Sequence, residues 1–262
     1  MNERIAICMS NYNMPERADA MADAIEKYVH WPHDLFMCDN ASDIMPPARS
    51  TTVWLEHNLQ TTGGLYAALA QADNAEMVGK FKYLAYVFTC TSAEYVGTDD
   101  IIMPMALFLL HNDNAVGVHP SLIRDSTTSW KQLIDHETGG PREVSFIDSI
   151  FGMYRADWFN SIGRYDPELT YCHGTDLETC YIARKQGRSL WVLDSIHVKK
   201  ISDIGYVMGR MGMTAEQRRI NARAEMNRVL KPRYGPGYWD DLQHHYWDHR
   251  KDTLYVKSGK SI

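Results

Sequence analysis

Three short apolar runs, each ending in polar residues, constrain the fold of this chain most strongly. The runs occupy residues 4–10, 35–38 and 52–55, and a stretch with apolar residues at helical spacing separates the first two. Short, continuously apolar runs are typical of strands that are buried on both faces of a parallel sheet. The succession of strand, helix and strand therefore predicts an α/β fold, Rossmann-like, with a mostly parallel sheet flanked by helices.

The polar residues that follow these runs are predicted to gather at one edge of the sheet. Ser10 and Asn13 end the first run, Asp39 follows the second, and Asn58 follows the third. Ligands of open parallel sheets bind beyond the carboxyl ends of the strands. Each of these side chains alone is also an ordinary turn former. Their order at three successive strand ends favours a binding site.

The stretch from Gly174 to Gly187 predicts a helix that carries a carboxylate at its start. Thr175 and Glu178 have the spacing of a capping box, and Gly187 provides a stop. Asp176 would lie in the first turn, where the helix dipole favours an ionised carboxylate. Such a group can act as a general base, or it can simply complement the helix start.

The sequence around this helix resembles the C-terminal half of inverting family 2 glycosyltransferases of the GT-A fold. The resemblance rests on residues 151–155, 162–168 and 174–187 and on an apolar run, residues 190–193, followed by His197. Asp176 falls on the catalytic base of the family, and its distance to Gly187 matches without a gap. Thr175 and Glu178 depart from the family pattern, which has Glu and Asp at these places.

The N-terminal half resembles the nucleotide-binding half of the same family. Residues 10–13 and 39–42, and Asn58 followed by two glycines, look like its three strand-end motifs. The resemblance implies that Ser10, Asn13, Asp39 and Asn58 hold the base, ribose and diphosphate of a sugar nucleotide.

The resemblance also implies a divalent metal. The family has a metal-binding motif, Asp-x-Asp, at the place that residues 98–100 occupy in this chain. Thr98 replaces the first Asp of that motif, which leaves Asp99 and Asp100. Hard carboxylate oxygens suit Mg²⁺ or Mn²⁺. On this basis Asp100 is the expected metal ligand, and the adjacent Asp99 is expected to contact the sugar nucleotide. His197 is expected to contact the metal or the diphosphate, although a His that packs at a strand end fits the sequence equally well.

The implied activity is transfer of a sugar, with inversion, from a nucleoside-diphosphate sugar to an acceptor hydroxyl. Residues 1–200 would form the GT-A-like nucleotide-sugar-binding and catalytic domain. Residues 201–262 would form a lid-like loop rich in glycine and methionine and a C-terminal helical extension. The acceptor is left open among a glycan, a small molecule and a modified nucleic acid.

Two other functions also fit parts of the sequence. A nucleotidyltransferase would use an Asp pair and a metal, but it would normally have a glycine-rich, basic loop after the first strand, and residues 11–15 are not such a loop. A non-catalytic module that binds sugar nucleotides or glycans would account for Thr98 in the altered metal motif.

Two longer stretches have helical spacing. Residues 63–89 predict one long or broken helix, with Gly79 as a possible break, and residues 215–230 predict a helix that stops at Lys231 and Pro232.

Charge and cysteine content add to these expectations. The formal net charge is −6, and residues from Lys199 onward carry 13 Lys and Arg against 7 Asp and Glu, which leaves −12 on the first 198 residues. This basic segment is expected to contact phosphates or simply to form a solvated helix face. The five cysteines include no C-x-x-C pair, and no signal peptide or apolar run long enough to cross a bilayer is evident. The sequence therefore predicts a cytoplasmic protein in a reducing compartment.

Overall fold

The computed structural model describes residues 3–201, 209–210 and 212–244 of the chain, and they form a mixed sheet with helices packed against it. The strands are β1 (Ile5–Asn11), β2 (His33–Asp39), β3 (Val53–Trp54), β4 (Ala85–Cys90), β5 (Ala93–Tyr95), β6 (Ala115–Leu122), β7 (Pro141–Val144), β8 (Phe151–Arg155) and β9 (Ser189–Lys200). The helices are α1 (Pro15–Tyr28), α2 (Gln60–Gly79), α3 (Ile102–His111), α4 (Ala156–Ser161), α5 (Thr175–Lys185), α6 (Ala215–Tyr234) and α7 (Tyr238–His244), and one 3₁₀ turn spans Lys131–Leu133.

The sheet confirms the predicted α/β fold. Its strand order is β3-β2-β1-β4-β8-β6-β9-β5, and β7 also pairs with β9. Strands β3, β2, β1 and β4 are parallel, and so are β6 and β9, whereas β8 is antiparallel to both β4 and β6. The carboxyl ends of β1, β2, β4, β6 and β9 consequently meet at one edge, which we call the carboxyl edge.

The prediction of a helix over residues 63–89 is wrong in its second half. Helix α2 ends at Gly79, Lys80 adopts a left-handed conformation with φ of 53°, and residues 85–90 form β4 in the centre of the sheet. A strand buried on both faces is apolar throughout, so its sequence also satisfies a helical pattern. Here Tyr86, Val87 and Phe88 are all buried.

The C-terminal helices pack onto the domain formed by the sheet. Helix α6 buries four apolar residues, and the Thr214 side chain accepts a hydrogen bond from the Gln217 backbone N–H at 3.0 Å at its start. The helix was predicted to stop before Pro232 but continues to Tyr234. The buried residues are Ala222, Met226, Val229 and Leu230. Helix α7 is joined to α5 because Arg184 donates a hydrogen bond to the Leu242 carbonyl.

Part of the expected lid, residues 202–208 and 211, lies outside the described residues, as does the tail over residues 245–262. The division of the chain near residue 200 stays a prediction. No helix in the described part of the chain has both the length and the apolar character required to cross a membrane.

Candidate active site

Gly174 positions the start of helix α5 against helix α6. It precedes the helix with φ of 89°, a left-handed conformation that glycine adopts without strain. A Cβ atom at this position would lie 3.0 Å from Leu230 Cδ1 and 3.2 Å from Met226 Cγ. The missing side chain thus allows α6 to pack directly over the N-terminus of α5, and Asp176 lies in the first turn beneath it.

Asp176 is a buried carboxylate held by a side chain from another segment. It is 7% exposed, and Ser149 donates its hydroxyl hydrogen bond to Asp176 Oδ1. Burial raises the pKa of Asp176 to about 7, and the negative charge of Asp148 raises it further, while the hydrogen bonds from Ser149 act in the opposite direction. The sequence predicted an ionised form favoured by the helix dipole. Desolvation outweighs that dipole here and raises the pKa of the carboxylate toward neutrality.

The predicted capping box between Thr175 and Glu178 is wrong. The Thr175 hydroxyl donates to the Cys172 carbonyl at 2.9 Å, and the helix has no side-chain cap. Glu178 Oε1 instead accepts hydrogen bonds from Tyr234 Oη at 2.8 Å and from Arg233 Nη1 at 3.1 Å. The pattern failed because the helix starts after a left-handed glycine, which leaves both side chains free for other partners.

Asp148 and Lys200 form an ion pair at the carboxyl edge that the sequence did not reveal. Lys200 Nζ lies 2.7 Å from Asp148 Oδ2. Asp148 precedes β8, and Lys200 is the last residue of β9. His119 of β6 is completely buried, and burial lowers its pKa to about 4, so it is neutral. Asp148 and Lys200 therefore supply the fixed charges next to Asp176.

A cavity of about 760 Å³ opens at this place. Asp148 and Asp176 contribute its carboxylates, and an aromatic wall lines part of it. Its cationic side chains are Lys200, Arg219 and Arg223. The aromatic wall consists of Trp130, Phe146 and Trp239. Trp130 stacks on Phe146 with 3.9 Å between ring centroids. The cavity combines a buried carboxylate with a basic, partly aromatic lining, which suits an anionic ligand that also presents an apolar face.

A second polar cluster lies at the carboxyl ends of β1 and β2. Buried Asp39 accepts hydrogen bonds from Asn11 Nδ2 at 3.1 Å and from the Ser42 backbone and hydroxyl at 2.9 and 2.7 Å. Asn13 Oδ1 accepts hydrogen bonds from the backbone N–H groups of residues 43–45, at 2.9 to 3.1 Å. The strand-end side chains thus build a network that fixes the loops of this edge.

Ser10 and Asn58 join the same edge through helix α2. A Cβ atom on Gly64 would lie only 2.1 Å from Ser10 Oγ, so Ser10 packs against the backbone of the first turns of α2. Asn58 accepts a hydrogen bond from Asn40 Nδ2 at 3.1 Å. The structure therefore brings Ser10, Asn13, Asp39 and Asn58 to one edge, and their ligand contacts stay predictions.

Asp100 does not lie at this edge. Its Oδ2 accepts hydrogen bonds from the backbone N–H groups of His30 and Trp31 at 2.6 and 3.2 Å, and its Oδ1 accepts those of residues 102 and 103 at 2.9 Å. His30 and Trp31 precede β2, so Asp100 lies toward the opposite edge of the sheet, where it caps α3 and anchors a loop. This geometry corrects the predicted metal role, because all its lone pairs serve the backbone.

Asp99 and His197 meet in a different, smaller cavity of about 290 Å³. His197 Nε2 lies 3.1 Å from Asp135 Oδ2. His197 and Lys200 are three residues apart in β9, so their side chains point to opposite faces of the sheet. His197 therefore does not share the cavity of Asp176, and its predicted contact with the metal of that site finds no support in the geometry.

Among the described residues, the carboxyl edge offers few side-chain ligands for the divalent metal that the resemblance implies. Residues 3–201, 209–210 and 212–244 contain no group of three or more His, Cys, Asp or Glu side chains placed to hold a metal ion. The turn after β4 carries Cys90, Thr91 and Ser92, and the Cys90 and Ser92 side chains lie 3.0 Å apart. The nearby carboxylate, Asp148, is already paired with Lys200.

The sheet order and the polar carboxyl edge define a GT-A-type α/β fold. Solved structures confirm it. A structure of GalNAc-T7 with UDP, GalNAc and Mn²⁺ aligns with a TM-score of 0.57 at 11% identity, over 76% of this chain and 43% of that one. The structure of S. aureus TarS with UDP aligns with a TM-score of 0.54 at 12% identity, over 97% of this chain and 75% of that one. The mannosyltransferase PcManGT from Pyrobaculum calidifontis, with GDP-Man and Mn²⁺, aligns at 0.57 and 13% identity, over 93% and 70%.

No family model and no curated protein matches the sequence. At these identities the similarity establishes the GT-A-type fold. The chain spans 43% of the length of the GalNAc-T7 chain and about three quarters of the TarS chain.

Proposed function

We propose that this protein is a glycosyltransferase that moves a sugar from a nucleoside-diphosphate sugar to an acceptor hydroxyl. The observation that carries the proposal is Asp176, a buried carboxylate with a pKa of about 7 that lines a cavity at the carboxyl edge of a GT-A-type sheet. The solved structures with this fold contain UDP or GDP-Man, and they belong to glycosyltransferases.

The polar cluster of β1 and β2 is suited to the nucleoside of the donor. Asp39 and the neighbouring asparagines present fixed donors and acceptors at the place where parallel sheets bind nucleotides. Their side chains are already ordered by internal hydrogen bonds, so little conformational entropy is lost when a ligand binds. The diphosphate would then extend along the carboxyl edge toward Asp176.

Asp176 would act as the general base of the transfer. Its carboxylate takes the proton of the acceptor hydroxyl while the acceptor oxygen attacks the anomeric carbon, and the bond from that carbon to the diphosphate oxygen breaks. Attack opposite to the leaving group inverts the anomeric configuration. A base whose pKa lies near neutral pH is ionised in a large fraction of molecules and still accepts a proton readily.

The aromatic wall is the proposed acceptor side of the cavity. Trp130 stacks on Phe146, and Trp239 lies 6.5 Å from Trp130 between ring centroids. Aromatic faces of this kind bind ligands that have both an apolar face and polar groups. The wall lines the same cavity as Asp176, so an acceptor that binds to it would have a hydroxyl near the proposed base.

A thermal-shift screen of UDP- and GDP-sugars, followed by product analysis by NMR, tests the proposal. A donor present at 100 times its dissociation constant stabilises the folded protein by about 2.7 kcal/mol. We expect stabilisation by at least one sugar nucleotide and slow hydrolysis or transfer of its sugar with inverted configuration. If none of these sugar nucleotides stabilises the protein and none is consumed by it, the proposed function is wrong.

A further inference from the structure

Lys200 is a cation placed at the centre of the carboxyl edge. It ends β9, its side chain is 25% exposed, and it lines the same cavity as Asp176. Lys200 pairs with Ala93 in the β5–β9 ladder, and the Ile201 backbone N–H donates a hydrogen bond to the Ser92 carbonyl at 2.9 Å. Lys200 therefore lies directly beside the turn that follows β4.

This position lies between the two halves of the proposed site. The nucleoside cluster is on β1 and β2, and the proton acceptor is at the start of α5. Strand β4 lies next to β1, and β8, which follows Asp148, lies next to β4. A diphosphate that connects a nucleoside on one side with a sugar near Asp176 on the other would cross the ends of β4 and β8, where Lys200 is paired with Asp148 and supplies a basic side chain.

The leaving diphosphate gains negative charge when the glycosidic bond breaks, and a positive group at that point stabilises it. The described residues present no cluster of metal ligands at this edge, and Asp148 already has a cationic partner. A lysine ammonium is a compact charge that binds phosphate well. Burial opposes the charge of Lys200, but the charge of Asp148 and its hydrogen bond together raise the Lys200 pKa, so the ammonium form persists at neutral pH.

We propose that Lys200 binds the diphosphate of the donor and neutralises the leaving group, so that nucleoside diphosphates bind this protein without an added divalent cation. The inference rests on the proposed function and assigns the charge-stabilising role to a side chain of the chain itself. Asp148 holds the ammonium group in place before the donor arrives. This arrangement differs from the GalNAc-T7 and PcManGT structures, which were solved with Mn²⁺.

Calorimetric titration with UDP and with GDP, each in EDTA and in Mn²⁺, tests this role. We expect the wild type to bind at least one of the two nucleotides in EDTA. Replacing EDTA with Mn²⁺ should change this affinity by less than about threefold, because no metal-bridged contact is added. Lys200→Met should weaken nucleotide binding at least about tenfold, because it removes one charge-assisted hydrogen bond. Lys200→Arg should retain most of the affinity.

Lys199→Met is the matched control. Lys199 is the neighbouring lysine on the other face of β9, where its Nζ pairs with Asp125 at 2.5 Å. We expect its removal to leave nucleotide affinity unchanged. Because Lys200→Met leaves the Asp148 carboxylate buried without its partner, the double variant Asp148→Asn with Lys200→Met is measured as well, and we expect it to fold and to bind as weakly as the single variant.

The outcomes separate this inference from the proposed function. Nucleotide binding that appears only with Mn²⁺, or a folded double variant that binds as tightly as Lys199→Met, overturns the role of Lys200 and leaves a glycosyltransferase in place. Failure of the wild type to bind either nucleotide in both EDTA and Mn²⁺ overturns both.

Discussion

Ser149 donates a hydrogen bond to Asp176 across 27 residues of sequence. The same hydroxyl lies 2.8 Å from Tyr165 Oη, and the Tyr165 ring packs against Phe88 and Phe159 with centroids 4.8 and 5.0 Å away. The position of the carboxylate is thus fixed by the aromatic core as well as by helix α5. This rigidity is what a general base requires, since small displacements from a productive geometry lower the rate strongly.

Asp176→Asn should abolish most of the turnover. The amide has the shape of the carboxylate but cannot accept the proton of the acceptor, so we expect a loss of about 10²–10⁴ in kcat. Affinity for UDP or GDP, measured by calorimetry, should change little because the base faces the acceptor. A variant that retains near-normal kcat would show that Asp176 is not the base.

The pH dependence of kcat should report the same group. Asp176 must be ionised to accept a proton, and its pKa is raised to about 7, so kcat should rise with pH through about 7 and fall below it. Ser149→Ala removes hydrogen bonding that lowers this pKa, so the acidic limb should move to higher pH. A structural role for Ser149 alone would lower kcat at every pH without moving the limb.

Asp176 should also make the protein less stable at high pH. Its pKa in the folded state is raised above the unfolded value of about 3.9, so ionisation of Asp176 favours the unfolded chain. The resulting loss of folding stability grows from about pH 4 to about pH 7 and stays constant at higher pH. Asp176→Asn should therefore raise the melting temperature at pH 8 and have little effect near pH 4. Equal melting temperatures of variant and wild type at both pH values would contradict the raised pKa.

Gly174→Ala should destabilise the protein more than Gly163→Ala. Both glycines have positive φ, 89° and 86°, so both substitutions incur the backbone penalty of about 1–2 kcal/mol. A Cβ atom at Gly163 meets nothing within 4 Å, whereas at Gly174 it meets Leu230 and Met226 at 3.0 and 3.2 Å. Chemical denaturation should show an additional loss of about 1 kcal/mol or more for Gly174→Ala. Equal losses would show that the two helices separate without cost.

Glu178→Gln should lower stability by about 1–3 kcal/mol because it weakens buried hydrogen bonds to Tyr234 and Arg233. It should leave Asp176 as the base. Glu168→Gln, which breaks an exposed ion pair with Arg228, is the control and should change stability by less than about 0.5 kcal/mol. If Glu178→Gln abolishes turnover while Asp176→Asn does not, the catalytic role belongs to Glu178.

The sequence predicts the N-terminal half of the sheet well. Residues at β1, β2 and β3 are apolar in short runs, and the polar residues that follow must meet because parallel strands end at the same edge. Strand β4 was missed for the opposite reason, since Tyr86, Val87 and Phe88 are buried on both faces and carry no alternation. Local periodicity cannot distinguish such a strand from a helix.

The candidate site was predicted only in part. Asp176 could be singled out because a local helix start and the family resemblance both indicate it as a candidate. Asp100 looks the same in sequence but caps α3 toward the other edge of the sheet, and no local pattern reports which edge a residue occupies. The ion pair of Asp148 and Lys200 joins residues 52 apart, and a strand-end lysine gives no signal of its partner.

The packing of α6 and α7 has a practical consequence for anyone who shortens this chain. Met226 and Trp239 line the cavity that contains Asp176, and Arg184 of α5 is tied to the backbone of α7. Deletion after β9 would keep the sheet and remove one wall of the pocket, exposing Leu177 and the aromatic residues to water. Such a fragment would be prone to aggregation and would serve poorly in ligand screening. A shortened chain should therefore keep all residues up to 244.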